Sequence, residues 1–394
     1  MSIVRGRGNL TRRACLAGVA AGAAALGTRA WAESEATDTS TPKPDPIVKR
    51  NYSARVNRIV ERALVIDMLS PLALDLRPES YAGKVNEAQA AMFRASRVTA
   101  VHHAIGVGGP AAYNDALTFM AGWNGFVARN GDLFTLVDTV EDIERAKAAR
   151  KVAVIMGLQN AEQFRQVSDV LAFRQMGLRC AQLTYNTQNL LGSGSTERVD
   201  GGVSDYGAEI IREMNKLGVL VDVSHSGERT TLDAIDISAG PIAITHSNCR
   251  ALNNHPRLKT DEAIRKLAAK GGVIGITGVR MFVKDREPTT VENVVDHIDH
   301  VVKLVGIDHV GIGTDSDLLG YDRLPGDQYR QLKSGYKSSY AFREKIDTDG
   351  FNNPDKMFSL TDALDRRGYG EANIVAILGG NFRRLLATAW SAKT

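Results

Sequence analysis

Cysteine is scarce in this 394-residue chain, with three residues at positions 15, 180 and 249. So few thiols exclude a disulfide-built scaffold, and Cys180 and Cys249, each beside a predicted strand, are expected to sit apart as small core residues. Long apolar runs are missing after residue 32, which leaves nothing there to span a bilayer. An excess of positive charge is missing too. The formal net charge is +4, but residues 1–32 carry five arginines and no acid, so without them it becomes −1 and no basic face for nucleic acid is expected.

What the first 32 residues do contain is specific. Arg12 and Arg13 precede a Gly/Ala-rich apolar stretch that ends in Ala30-Trp31-Ala32, the pattern of a cleavable twin-arginine export signal. The expected partner is the twin-arginine export machinery, and the expected destination is the periplasm or the medium. Residues 33–48 are polar and proline-rich and read as a disordered linker. Residues 49–394 then form one domain.

Within that domain short apolar runs alternate with helical stretches, at 63–67, 98–105, 152–159, 178–185, 218–225, 241–247, 271–278 and 309–315. Eight strand-helix units of this kind predict a (β/α)8 TIM barrel, an α/β fold with a parallel sheet. In "DYGAEIIREMNKLG" the residues Ile210, Ile211, Met214 and Leu217 share one face and Gly218 stops the helix; Thr260 is a candidate cap for the next. A polar insertion at about 319–357 follows the eighth strand and reads as a lid or an oligomer contact.

Chemistry in such barrels gathers where the strands end, because the loops converge there over a packed core. Here the runs end in Gln159-Asn160, Tyr185-Asn186, His225, His246 and Asp315. Buried polar groups without partners cost a few kcal/mol each, so five polar endings should bond to each other, to a metal or to a substrate. Two imidazoles on adjacent strands plus a carboxylate suit zinc, which lowers the pKa of bound water to about 7. His102 and His103 add a second pair, of which only one can face inward, since side chains alternate along a strand.

Residues 151–315 resemble the membrane dipeptidase family (renal dipeptidase, peptidase family M19) of the amidohydrolase superfamily, and the resemblance extends more weakly from about residue 60 to the C-terminus. It is carried by "GLRCAQLTYNTQNLLGSG", "MNKLGVLVDVSHSGERTTLDAI", "PIAITHSNCRALNNHPRLKTDEAI", "AAKGGVIGI" and "HVGIGTDSD". The resemblance implies a barrel with two zinc ions that hydrolyses dipeptides, and a homodimer. It implies that His225 and His246 bind one zinc, that Asp315 binds the other and handles protons, and that Arg257 grips the substrate carboxylate as a bidentate pair. Three positions depart from the family pattern. Leu69 and Pro71 stand where a His-x-Asp pair is expected, Gln159 replaces the bridging glutamate, and Tyr185 replaces the histidine that stabilises the oxyanion.

These departures predict a single zinc on His225 and His246, helped by Asp315 or the Gln159 carbonyl. The expected function is an exported hydrolase of small amide or dipeptide substrates bearing a carboxylate. Asp315 would take the proton, Tyr185 would polarise the carbonyl, and Arg257, Gln159, Asn160 and Asn186 would bind substrate. A metal-free acid/base enzyme (lyase, isomerase or hydrolase) and a catalytically silent small-molecule-binding barrel are the alternatives. Either would use the same pocket.

Overall fold

The structure, a computed structural model, describes residues 51–75, 78–351 and 353–391. The export signal and linker expected at 1–32 and 33–48, with Cys15, lie outside the described residues. No helix among the described residues is long and apolar enough to cross a membrane.

The expected alternation closes into a ring. Strands β1 (Ile66–Asp67), β2 (Ala100–Ile105), β4 (Val152–Leu158), β5 (Leu178–Gln182), β6 (Leu220–Asp222), β7 (Ala243–Ser247), β8 (Val273–Ile276) and β9 (Val310–Ile312) pair in parallel, and β9 returns to β1. This is the eight-stranded (β/α)8 barrel. One strand escapes the sequence pattern: β3 (Phe134–Leu136) pairs with the first half of β4, below the point where β5 joins the same edge. Three residues are too few to show a period.

Alternation along the strands sorts the core into two apolar clusters. Val65, Val101, Val152 and Val154 pack outward with the helices, whereas Ile66, Met68, Ala100, Ile155, Cys180, Leu220, Ala243 and Val273 pack with Phe382, Leu385 and Trp390 of the C-terminal helix Asn381–Trp390. That helix plugs the lower end of the barrel. A Cβ on Gly311 would lie 2.5 Å from the Phe382 ring, so the missing side chain makes room for the plug. Each such fully buried side chain contributes about 1.5–3 kcal/mol of transfer free energy.

The expected helix signals operate. Thr260 accepts from the backbone N–H of Ala263 at the start of helix Asp261–Ala269, and Gly218 ends helix Asp205–Leu217 at φ 65°. Cys180 and Cys249 are both buried free thiols.

Candidate active site at the barrel mouth

His225 stands three residues beyond β6 and His246 lies in β7, the neighbouring strand. Both are buried, and their Nε2 atoms are 2.9 Å apart. What lies between them follows from the opposite side of each ring. His225 Nδ1 meets Asn186 Oδ1 at 2.7 Å, so it carries the proton. His246 Nδ1 lies 2.8 Å from Thr245 Oγ1, whose own proton goes to Asp222 Oδ2 at 2.6 Å. The Ser224 hydroxyl fills the other Asp222 oxygen, so the network assigns the second Nδ1 proton to His246 as well.

Two bare Nε2 lone pairs then face each other across 2.9 Å. Burial pushes both histidines well below the ordinary imidazole pKa, and the nearby Arg257 charge adds to the effect. Protonation of either ring is thus disfavoured. A cation coordinated by both nitrogens from one side relieves the repulsion.

Arg257 is fully buried; Nη1 donates to the Ser224 carbonyl and Nη2 to that of His246 at 3.4 Å. Its Nε is buried without a partner among the described residues. Lys259 supports the rim from behind, donating to the carbonyls of Val223 (2.7 Å) and Ser226 (2.8 Å) and to Thr231 Oγ1 (2.9 Å). Burial brings its pKa down to about 7.

Asp315 follows β9 and adopts φ 59°, while Asn186 adopts φ 61°; both are non-glycine residues in the left-handed region. Such strain persists where the surroundings hold it, and here it occurs at two residues of one site. Burial pushes the Asp315 carboxyl up to about 7, against the opposing pull of Arg257. Asp315 lines a small cavity with Tyr185, Phe282, Tyr321, Tyr336 and Tyr340. The Tyr185 ring lies nearly flat on His225, centroids 4.1 Å apart, and its hydroxyl is 2.8 Å from that of Tyr336.

Other expected residues fall elsewhere. Asn160 ties loops together, donating to the Val107 carbonyl at 2.6 Å and accepting from Asn189 at 2.8 Å. Gln159 Nε2 donates to the Ala104 carbonyl at 3.1 Å, and Leu69 is a buried apolar residue. Of the second pair, His102 faces inward and His103 outward, packed on Phe119 and Trp123. His102 gives its Nδ1 proton to the Met68 carbonyl at 2.7 Å, and its Nε2 has no partner among the described residues. A Cβ on Gly157 would lie 1.9 Å from that nitrogen.

The insertion lines the cavity: Tyr321, Leu332, Tyr336, Tyr340, Phe342 and Ile346 all come from residues 319–357. Sequence reasoning missed these tyrosines, although a cluster of aromatics in a polar segment was the available signal. It also missed Lys259 and the Asp222–Ser224–Thr245 network.

With this geometry in view, the comparisons with known proteins are direct. The model of the membrane dipeptidase family (peptidase family M19) matches residues 53–332. The chain belongs to this family. It is 30% identical over 259 residues to the dipeptidase tcpJ of Claviceps purpurea, covering 65% of this chain and 55% of that protein. The chain thus spans about half the length of the curated relatives it matches. Among solved structures, an amidohydrolase from Pseudomonas aeruginosa is 30% identical with a TM-score of 0.75, over 85% of this chain and 99% of that one. A metallo peptidase from Rhodobacter sphaeroides, liganded with a phosphinate mimic of the dipeptide L-Ala-D-Ala, shares the fold at 19% identity and TM-score 0.66, over 83% of this chain and 99% of that one.

The family's metal chemistry can be tested against the donors present. Two facing imidazole lone pairs fit one cation. Leu69 and Pro71 offer nothing to a second, and Gln159 brings an amide where a charged bridge would be needed. Among the described residues no three His, Cys, Asp or Glu side chains form one metal-holding group, so Asp315 does not stand as a third ligand to the pair in this arrangement.

Proposed function

We propose that this dipeptidase-family chain is a hydrolase of small amide substrates of the dipeptide type, bearing a carboxylate. The observation that carries the reading is the pair of facing, buried imidazole nitrogens at 2.9 Å, with Tyr185 stacked on His225 and lining the same cavity as Asp315. A general base works best when its pKa lies near the working pH, and few carboxylates meet that condition.

In this reading Asp315 takes a proton from the attacking water as its oxygen bonds to the amide carbon, and delivers a proton to the leaving amine as the C–N bond breaks. A phenol hydroxyl in the cavity hydrogen-bonds the carbonyl oxygen, where negative charge develops. Arg257 attracts the substrate carboxylate through its charge and its partnerless Nε. Asn186 holds His225 in one tautomer and Thr245 does the same for His246, as orienting partners do for metal-ligating histidines. His225 and His246 would hold a single zinc ion, whose charge makes water more acidic at neutral pH. Residues 1–32 would carry the folded protein through the twin-arginine route to the periplasm.

The test joins metal analysis of untagged protein to assays on a dipeptide panel before and after chelation. About one zinc per chain, lost together with activity and restored on readdition, is the expected result; His225→Ala should abolish zinc retention. The lack of a third grouped ligand among the described residues favours one second reading, a metal-free site in which the histidines are neutral and Asp315 is the base. Full turnover after chelation would assign that instead. Absence of turnover on every amide would overturn the hydrolase reading.

A further inference from the structure

This inference rests on the hydrolase reading and concerns what sets the two imidazoles opposite each other. His225 lies in a turn at residues 223–226, which the Ser226 N–H closes on the Val223 carbonyl at 3.1 Å. Buried backbone carbonyls need donors, and all four of this turn have one. Those of Val223 and Ser226 accept from the Lys259 ammonium at 2.7 and 2.8 Å. That of Ser224 accepts from Arg257 Nη1, and that of His225 from the Ser195 N–H at 2.8 Å.

Lys259 reaches that turn from the strand end of the other histidine. Residues 257–259 lie beside the chain that leaves β7 just after His246. The Lys259 N–H donates to the Asn248 carbonyl at 3.0 Å, the Arg250 N–H to the Lys259 carbonyl at 2.8 Å, and the Ser247 hydroxyl to the Arg257 carbonyl at 2.8 Å. The backbone of Lys259 is thus bound on the His246 side and its side chain on the His225 side.

The residue type fits that task. An ammonium has three hydrogens, and all are used here, the third on Thr231 Oγ1 at 2.9 Å in helix Glu228–Ile237. A hydroxyl or an amide has too few donors to hold both ends of the turn and the helix at once. None of the three partners is a carboxylate, so this buried cation is bonded to neutral oxygens, a costly arrangement that an apolar residue would avoid. Arg257 also bridges the two sides, with Nη1 on the Ser224 carbonyl and Nη2 on that of His246. It keeps a partnerless Nε for a substrate carboxylate, whereas Lys259 has no donor left to offer.

We propose that Lys259 is a positioning residue: by tying the turn of His225 to the strand end of His246, its ammonium sets the 2.9 Å approach of the two Nε2 atoms and with it the affinity of the pair for zinc. Groups that orient metal-ligating histidines change metal affinity by about 10–100-fold when they are lost.

Two variants decide the matter. Lys259→Met keeps the unbranched stem and removes all three donors, and circular dichroism with thermal melts shows whether it folds. Its zinc affinity, from competition with a chelator, should fall by about 10–100-fold. In metal-free protein with isotope-labelled histidine, the ring-nitrogen NMR shifts of His225 and His246 should both move. Those of His309, bonded to the Gly272 carbonyl at the opposite end of the strands, should stay. Thr231→Val removes the third partner but leaves both carbonyl bonds, so it should lose stability while zinc affinity and shifts remain close to the parent's. Unchanged affinity and shifts in Lys259→Met, or equal changes in Thr231→Val, would overturn this inference. Should Lys259→Met not fold, Lys259→Gln, with two donors, takes its place under the same criteria. A parent that turns over no amide sinks the hydrolase reading and leaves affinity and shifts to decide this one. A parent that binds no zinc overturns the affinity half, and the shifts then decide the positioning.

Discussion

The two halves of the barrel mouth have been treated differently. At β6 and β7 the histidines and the rim carbonyls have supporting partners: Asn186 behind His225, Thr245 and Asp222 behind His246, Lys259 behind the carbonyls of the rim. At β1, β2 and β4 Leu69 and Pro71 carry no ligand atoms, and His102 is turned into the interior with one nitrogen bare. A site keeps its chemistry where neighbouring side chains fix the tautomer and direction of each functional group. The β1 and β2 side presents apolar packing at Leu69 and an imidazole with one bare nitrogen at His102 instead. The tyrosines of the insertion line the same cavity as Asp315, so part of that cavity is built from residues outside the strands.

The comparison breaks most severely at the supported half. His246→Ala removes one nitrogen of the pair and should reduce kcat/KM by about 10³-fold or more, by analogy with loss of a central catalytic group; retention of a tenth of the activity would show that the pair is not at the reaction centre. Next in size, Gly157→Ala places a methyl group where His102 Nε2 now lies and should destabilise the fold by about 1–3 kcal/mol in denaturant titrations. Combining it with His102→Ala should restore most of that loss, and no restoration would place the strain elsewhere.

Asp315 sharpens the contrast through pH. Its carboxyl binds a proton more tightly in the folded chain, at about 7 against an ordinary 3.8, so its ionisation costs stability progressively as pH rises between those values. Asp315→Asn should flatten that decline in melts across the same window. In the parent enzyme kcat/KM should rise through about 7 as the base ionises, and a flat profile would assign the proton transfer to another group. The smallest effect should come from rebuilding the altered half with Leu69→His, Pro71→Asp and Gln159→Glu together. The metal content should rise toward two ions per chain, and an unchanged stoichiometry would mean that the backbone there has also moved.

Much of this was legible in the residues, for physical reasons. Short apolar runs ending in His225, His246 and Asp315 marked strand ends, because a buried strand tolerates polar groups only at its rim. Thr260 and Gly218 declared helix boundaries through local chemistry alone. What escaped depended on distant contacts. The inward turn of His102 rather than His103 is decided by the register of β2 against β4, and by the space at Gly157. Asn160 reads as a substrate group until its partners Val107 and Asn189 are seen. The place of Tyr336 in the cavity depends on an insertion with no periodic signal, fastened through Lys337 and Tyr340 to the barrel loops it meets.

The C-terminal plug has a consequence for traffic. With Phe382, Leu385 and Trp390 filling the lower end, the well is blind, and whatever enters past the tyrosines has to leave by the same door. In the hydrolase reading, arrival of a fresh molecule and departure of the spent one would compete for a single passage.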